Sequence, residues 1–194
     1  MKILGISGSS RKGGNTELLV RRALDVCKER GADTEFISLA EKEINYCTSC
    51  DACKEKPHKC IQDDDVREIL DEMKSSDAII LGSPTYFASV SGKLKSLFDR
   101  TLPLRRENYR LSGKVGGSIA VGGSRNGGQE HVCIQIHNWM LLHEMIVVSD
   151  KRTAHFGGIA VGRNPGDVLK DNLGISTVEN LAIRVFDVTK EIKR

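Results

Sequence analysis

Cys47, Cys50, Cys53 and Cys60 are the residues of this chain best equipped for chemistry, and they hold four of its six cysteines in one short run. The run reads Cys47-Thr-Ser-Cys50-Asp-Ala-Cys53, then Lys54-Glu-Lys-Pro-His-Lys59 before Cys60. Three thiols two residues apart can wrap a compact loop around one polynuclear centre, and a fourth, arriving from a short excursion, can close it. Each iron of a [4Fe–4S] cube takes one thiolate, so tight CxxCxxC runs supply several corners from one loop. Tetrahedral zinc more often pairs two separated CxxC knuckles, a pattern this run lacks. His58, inside the excursion, keeps a Cys3His zinc site open beside the plainer reading of a solvated loop histidine. Redox-active or structural thiols are the third reading.

A second chemistry is written in loops of small residues. Gly8-Ser-Ser-Arg-Lys-Gly-Gly-Asn-Thr16 can cradle a phosphate, because its backbone N–H groups are accessible and a helix starting near Thr16 aims its positive end there. Ser9, Asn15 and Thr16 add hydroxyl or amide donors, and Arg11 can neutralise charge. The loop is neither a Walker A motif nor a clean GxGxxG, and an N-capped turn with no ligand is its bland alternative. Pro84-Thr-Tyr-Phe87 offers backbone amides and Thr85 to a heteroaromatic ring, with Tyr86 or Phe87 to cover its face. For these two aromatics, core packing is the competing reading. Gly122-Gly-Ser124, opening a second glycine-rich loop that runs to Gly128, lets a flat ligand approach the backbone.

The elements that must position these groups follow from periodicity. Lys2–Ser7, Thr34–Leu39, Asp77–Gly82, Val115–Val121 and Met145–Val148 read as five strands. A helix carries Val20, Ala23, Leu24 and Cys27 on one face and ends at Gly31. Others carry Val66, Ile69, Leu70 and Met73; Leu94, Leu97 and Phe98; Val132, Ile136 and Trp139; and Val178, Leu181, Ala182 and Val185. Helical segments are also expected after Leu39, and about 149–176 reads as irregular. Strands alternating with helices at this pace predict an α/β fold, a flavodoxin-like doubly wound five-stranded parallel sheet. The cysteine-rich stretch, about 44–63, becomes an insertion between strands 2 and 3. In such a sheet the three loops meet outside the carboxyl ends of the strands.

At 194 residues, with 39% hydrophobic and 28% charged residues, the chain suits one domain, 1–194. A net charge of +3, without a basic run, argues against nucleic acid. Met1–Ser7 turns into glycines too early for a signal peptide, and no apolar run approaches the roughly 20 residues of a membrane helix. The expectation is a cytoplasmic protein with no membrane contact, where clustered thiols stay reduced. Cys27 and Cys133 sit on apolar helix faces and read as core. His131 and His137 make no metal-ligand pattern, and His155 with Phe156 edges either the ligand pocket or a dimer. Trp139, on a helix apolar over much of its surface, suggests that this helix meets a second subunit.

Gly8-Ser-Ser-Arg11, Gly14-Asn-Thr16, Ser83-Pro-Thr-Tyr-Phe87, Lys93-Leu-Lys95 and Phe98-Asp-Arg100 together resemble the NAD(P)H-dependent FMN reductase group. With Cys47, Cys50, Cys53 and Cys60 added, the chain resembles the iron–sulfur flavoproteins of anaerobic archaea and bacteria over nearly its whole length. Gly127-Gly-Gln-Glu130 is also similar to the tetrameric NAD(P)H:quinone reductases. The resemblance implies FMN, a [4Fe–4S] cluster and a homodimer or homotetramer with sites at subunit boundaries. It implies that Ser9, Arg11, Asn15 and Thr16 hold the FMN phosphate. Pro84, Thr85, Tyr86 and Phe87 would line the ring, with Gly122, Gly123 and Ser124 opposite. His143 matches a histidine that reaches a neighbour's flavin in the quinone reductases, although a buried or interface histidine explains it equally. Cys60 follows an excursion whose length varies in the family.

These observations predict an FMN-dependent oxidoreductase that moves electrons from a one-electron, ferredoxin-like donor through the cluster to FMN, and on to a small acceptor such as an oxygen species or a quinone. No residue need act as acid or base, so no catalytic side chain is nominated. A direct NAD(P)H-dependent FMN or quinone reductase is the alternative. A non-catalytic flavodoxin-like binding protein is the alternative of another class.

Overall fold

The structure is a computed structural model and describes residues 1–193. Six strands form one parallel sheet: β1 (Lys2–Ser7), β2 (Asp33–Ser38), β3 (Ala78–Pro84), β4 (Val115–Gly122), β5 (Ile146–Val147) and β6 (Gly158–Val161). Their order is β2-β1-β3-β4-β5, with β6 also paired to β4. This is the 2-1-3-4-5 order of the flavodoxin-like sheet, with its switch point between β1 and β3. The helices are α1 (Asn15–Glu29), α2 (Val66–Ser75), α3 (Gly92–Asp99), α4 (Leu102–Arg106), α5 (Gln129–Leu142) and α6 (Asn172–Ile192).

Strand residues alternate between two apolar layers, as a period of two requires. Leu4, Ile6, Ile79 and Leu81 join residues of α2, α3 and α5 on one face. Ile3, Ala78, Ile80 and Ile119 join α1 and α6 on the other. The helical stripes expected around Val20, Ile69, Leu94, Ile136 and Leu181 are all buried, and so are Cys27 and Cys133. At about 1.5–3 kcal/mol for each fully buried large aliphatic side chain, these two layers hold the sheet from both sides.

Two expectations change. The fifth sheet position is shared by two strands: β5 pairs with Val115 and Gly116 of β4, and β6 with Ile119 through Gly122. Between them the chain bulges out and returns, held by Asp150, whose carboxylate accepts from the N–H groups of Thr153 and His155. Gly158-Ile-Ala-Val161 was hidden inside a glycine-rich stretch because four residues are too few for a pattern to emerge. The helical segments expected after Leu39 are also absent. Residues 40–65 run without regular structure except for one 3-10 turn, Ala52–Lys54. A short helix not expected from the pattern, α4, follows α3.

Candidate functional site: a cleft at the strand ends and a cysteine-lined cavity

α1 enters through Gly14, which has no side chain to cap it, so the N–H groups of its first turn are open to an anion. The helix approaches the sheet closely because Gly82 lies beneath it; a Cβ there would stand 2.5 Å from Val20. Glu17, an acid in the same first turn, accepts from the Gly13 N–H, the Ser38 hydroxyl and Arg21. Its charge is thereby engaged within the protein. The Ser9 hydroxyl accepts from the Arg11 N–H at 3.1 Å, leaving its own proton to donate.

The loop ends are braced as one body. Gly8 N–H donates to Gly82 O, and the Ser91 hydroxyl donates to Gly8 O at 2.6 Å while capping α3 through the Leu94 N–H. Ser83 accepts from the Ser91 N–H at 3.0 Å. Ser83 opens the Ser83-Pro-Thr-Tyr-Phe87 motif, whereas Ser91 carries little signal in the sequence, since an ordinary N-cap serine looks the same.

The cleft between these loops has a volume of about 230 Å³ and is lined by Ser9, Arg11, Asn15, Thr16, Pro84, Thr85, Tyr86 and Gly123, with Val121, Gly162 and Arg163. Eight expected residues therefore meet there. Thr85 donates its N–H to Val121 O, but its buried hydroxyl has no partner in the protein. A buried hydroxyl left unpaired costs about 1–3 kcal/mol, so this one suits a ligand that completes it. Gly123 faces open space, with only Arg163 within reach of a Cβ. The Asn15 side chain is engaged by the following loop, donating to Asn164 O and accepting from the Gly166 N–H, both at 2.8 Å. Gly162 and Arg163 went unnoticed because β6, which presents them, did.

Three expected residues lie off the cleft. Phe87 and Ala88 form the tip of a two-residue turn between Tyr86 and Ser89, both at positive φ, and the Phe87 side chain is fully exposed. Gly122 is a glycine for a different reason: a Cβ there would collide with the Gln129 side chain. Gln129 in turn holds the loop, donating to Ser124 O and accepting from the Gly127 N–H.

The four cysteines line a second, smaller cavity of about 70 Å³, together with Arg100, Leu102 and Pro103. Ser49 and Asp51, between the thiols, take left-handed backbone conformations with φ of 52° and 60°, which curls the chain and turns Cys47, Cys50 and Cys53 to one hollow. Burial pushes the Cys53 thiol above its ordinary value, and the neighbouring Cys60, Cys47 and Cys50 push the same way. Among the described residues no three of His, Cys, Asp or Glu stand close enough to share a single ion. Four thiols lining one hollow are the donor set a [4Fe–4S] centre would take, one thiolate per iron. His58 is turned back on the loop, its Nδ1 3.3 Å from Cys53 O.

The loop is held by ionic contacts. Asp65 accepts from the Glu43 N–H and pairs with Lys42; Asp64 accepts from the Asn45 N–H and from Arg100. Burial alone would raise Asp64, but Arg100 and the N–H groups of Asn45 and Val66 outweigh it and hold the carboxyl below its ordinary value. The Arg100 guanidinium also donates to Cys60 Sγ at 3.3 Å, and its buried Nε has no partner in the protein.

A larger hollow, about 540 Å³, lies between α3–α4 and α5 and is lined by Phe98, Thr101, Leu102, Trp139, Leu142 and His143 among others. Its lining mixes these with Lys95, Asp99, Arg105, Gln135 and Asn138 and has neither a phosphate cradle nor a thiol, so size alone does not make it the redox site. His143 is buried there. The Thr101 hydroxyl donates to Phe98 O, so it accepts from His143 Nε2 at 2.8 Å, as it does from Trp139 Nε1. The bare Nδ1 has no partner. Burial, with Arg105 nearby, lowers this histidine to about 4.

Comparison with known proteins gives the family. Residues 1–157 match the family model described as NADPH-dependent FMN reductase. An iron–sulfur flavoprotein of Methanocaldococcus jannaschii is 56% identical over 195 positions, covering all of both chains. One from Methanosarcina thermophila is 45% identical over 194 positions, covering all of this chain and 98% of the other. Among solved structures a flavone reductase superposes with a TM-score of 0.76 at 22% identity, over all of this chain and 65% of its own length, a likeness of fold. The chain thus belongs to the NADPH-dependent FMN reductase family, among its iron–sulfur flavoproteins, and is an FMN-dependent oxidoreductase.

Proposed function

We propose that this flavoprotein carries a [4Fe–4S] cluster on Cys47, Cys50, Cys53 and Cys60 and passes electrons from a ferredoxin-like one-electron donor to FMN and on to a small acceptor, an oxygen species or a quinone. The convergence of four thiols on one hollow, beside a buried cation with an unpaired N–H, carries the reading. When bound, the cluster would supply single electrons and FMN would collect them for a two-electron reduction.

The protein's own part is binding and exclusion. Ser9, Thr16 and the open N–H groups of α1 receive the FMN phosphate, with Arg11 and Arg163 neutralising it, and Asn15 stiffens the facing loop. Thr85 donates to the ring, Pro84 and Tyr86 line it, and Gly123 leaves room for it. Leu102 and Pro103 form an apolar wall of the thiol hollow, in which Cys53 and Cys60 are half-buried and Cys47 and Cys50 exposed. No side chain is assigned a proton transfer.

The protein works in the cytoplasm, where thiols stay reduced, as a homodimer or homotetramer. Exposed Leu141 and Leu142 at the end of α5, with fully exposed Phe87, support a second subunit. No described helix is long and apolar enough to cross a membrane.

Anaerobic purification with iron, sulfide and flavin analysis tests the proposal. About four irons and one FMN per chain, and reduction of the flavin by reduced ferredoxin, are expected. A yellow protein without iron would refute it. The family description favours a second reading, in which NAD(P)H reduces the flavin directly. Stopped-flow mixing with NADPH decides: a flavin not bleached within minutes removes that route.

A further inference from the structure

We infer that Arg100 is a positioning residue for the metal centre: it anchors Cys60 and raises the centre's reduction potential by holding a buried positive charge against that sulfur. The inference rests on the cluster reading above and concerns a residue outside the four thiols. Arg100 is 2% exposed, in the segment between α3 and α4, far from the cysteine loop in sequence. One amino group donates to Cys60 Sγ at 3.3 Å, and the other to Asn45 O at 3.2 Å and to Asp64. It therefore ties both ends of the cysteine loop to the core. Cys60 needs such a tie, because it follows residues 55–59, which belong to no helix or strand.

The electrostatics follow from the same contacts. Reduction adds a negative charge to the centre, and hydrogen bonds to sulfur and nearby charge are the protein's means of setting its potential. Asp64 partly balances the guanidinium, but the guanidinium is the member of the pair that touches sulfur. The Nε–H, buried and unpartnered, is a further donor beside the same hollow. Glutamine at 100 can keep a hydrogen bond but removes the charge; lysine keeps the charge but cannot reach all three partners.

The test is an anaerobic redox titration followed by EPR on R100Q, R100K and wild type, with iron, sulfide and FMN content measured on each. R100Q is expected to have a more negative potential, by about the 59 mV that a tenfold change in a one-electron equilibrium represents, or to lose iron while retaining FMN. R100K is expected to return toward wild type in both measures. Because R100Q leaves Asp64 buried and unpaired, the double variant R100Q/D64N provides the fallback if the single variant does not fold. It is expected to shift in the same direction, since the charge nearer the sulfur is the one removed. R100Q, or the double variant where it alone folds, with full iron and a wild-type potential would overturn the inference while leaving the cluster reading intact. So would an R100K no closer to wild type than R100Q. Wild-type protein free of iron and sulfide would instead overturn the cluster reading, and this inference with it.

Discussion

At the cleft lined by Ser9, Thr16 and Thr85 the main loops leave the ends of buried strands, whereas residues 40–65 around the cysteines contain a single three-residue 3-10 turn. The cleft inherits its rigidity from the sheet: Gly8, Gly82, Ser83 and Ser91 are bonded to one another, and their strands are covered on both faces. The cysteine loop inherits little from the sheet and is held by a few charged side chains, chiefly Asp64, Asp65, Lys42 and Arg100. One region is preorganised by hydrophobic burial. The other depends on local ionic ties; the proposed cluster would add metal–thiolate bonds, which couple binding to local folding.

The contrast is sharpest in two substitutions. Cys50→Ser should abolish the intact cluster, with iron and sulfide falling toward zero on analysis. FMN content should be kept and the thermal midpoint barely moved, because Cys50 is an exposed residue outside both core layers. Gly82→Val should do the reverse. Its side chain would collide with Val20 and prise α1 from β3, costing about 3 kcal/mol. At roughly 2–4 °C per kcal/mol for a domain of this size, calorimetry should read a drop of several degrees together with loss of FMN. A Gly82→Val protein that bound FMN normally would break the comparison.

Between the regions runs the segment 98–103, whose Arg100 serves the cysteine loop and whose Thr101 holds His143. His143 is held neutral, with a folded value of about 4 against an ordinary 6.5. The unfolded chain therefore binds a proton first, so this contribution is full above about pH 6.5, falls as pH drops, and levels off near the folded value. Between pH 7 and pH 5 the loss is about 2 kcal/mol. Urea unfolding at these two values should show it, and His143→Gln should flatten the difference.

The smallest effect belongs to Arg11, which is exposed at the mouth of the cleft. Arg11→Gln should weaken FMN by about tenfold, the loss of one charge-assisted contact in water, and leave riboflavin binding unchanged. Fluorescence titration of apoprotein with both ligands checks it. Equal losses for the two would mean that Arg11 serves the ring or the fold and not the phosphate.

Local sequence patterns made much of this legible. Buried strands such as Ile79-Ile-Leu81 and stripes such as Val20, Ala23, Leu24 and Cys27 declare themselves because burial imposes a period of two or 3.6 on residues close in the chain. Strand alternation then brings the loops after β1, β3 and β4 to one edge, so Ser9, Thr16, Thr85 and Gly123 could be named in advance. The thiol spacing likewise marks Cys47, Cys50, Cys53 and Cys60 as one group, and the fold brings them to one hollow.

What only the tertiary structure decided are pairings between residues distant in sequence. That Arg100 reaches Cys60, that Ser91 closes on Gly8, and that Gly122 is small for Gln129 and not for a ligand are contacts no local period encodes. The split of the fifth sheet position into β5 and β6, which carries Gly162 and Arg163 into the cleft, is of the same kind. A four-residue strand is defined by the partner it pairs with, and that partner is supplied by the folded chain.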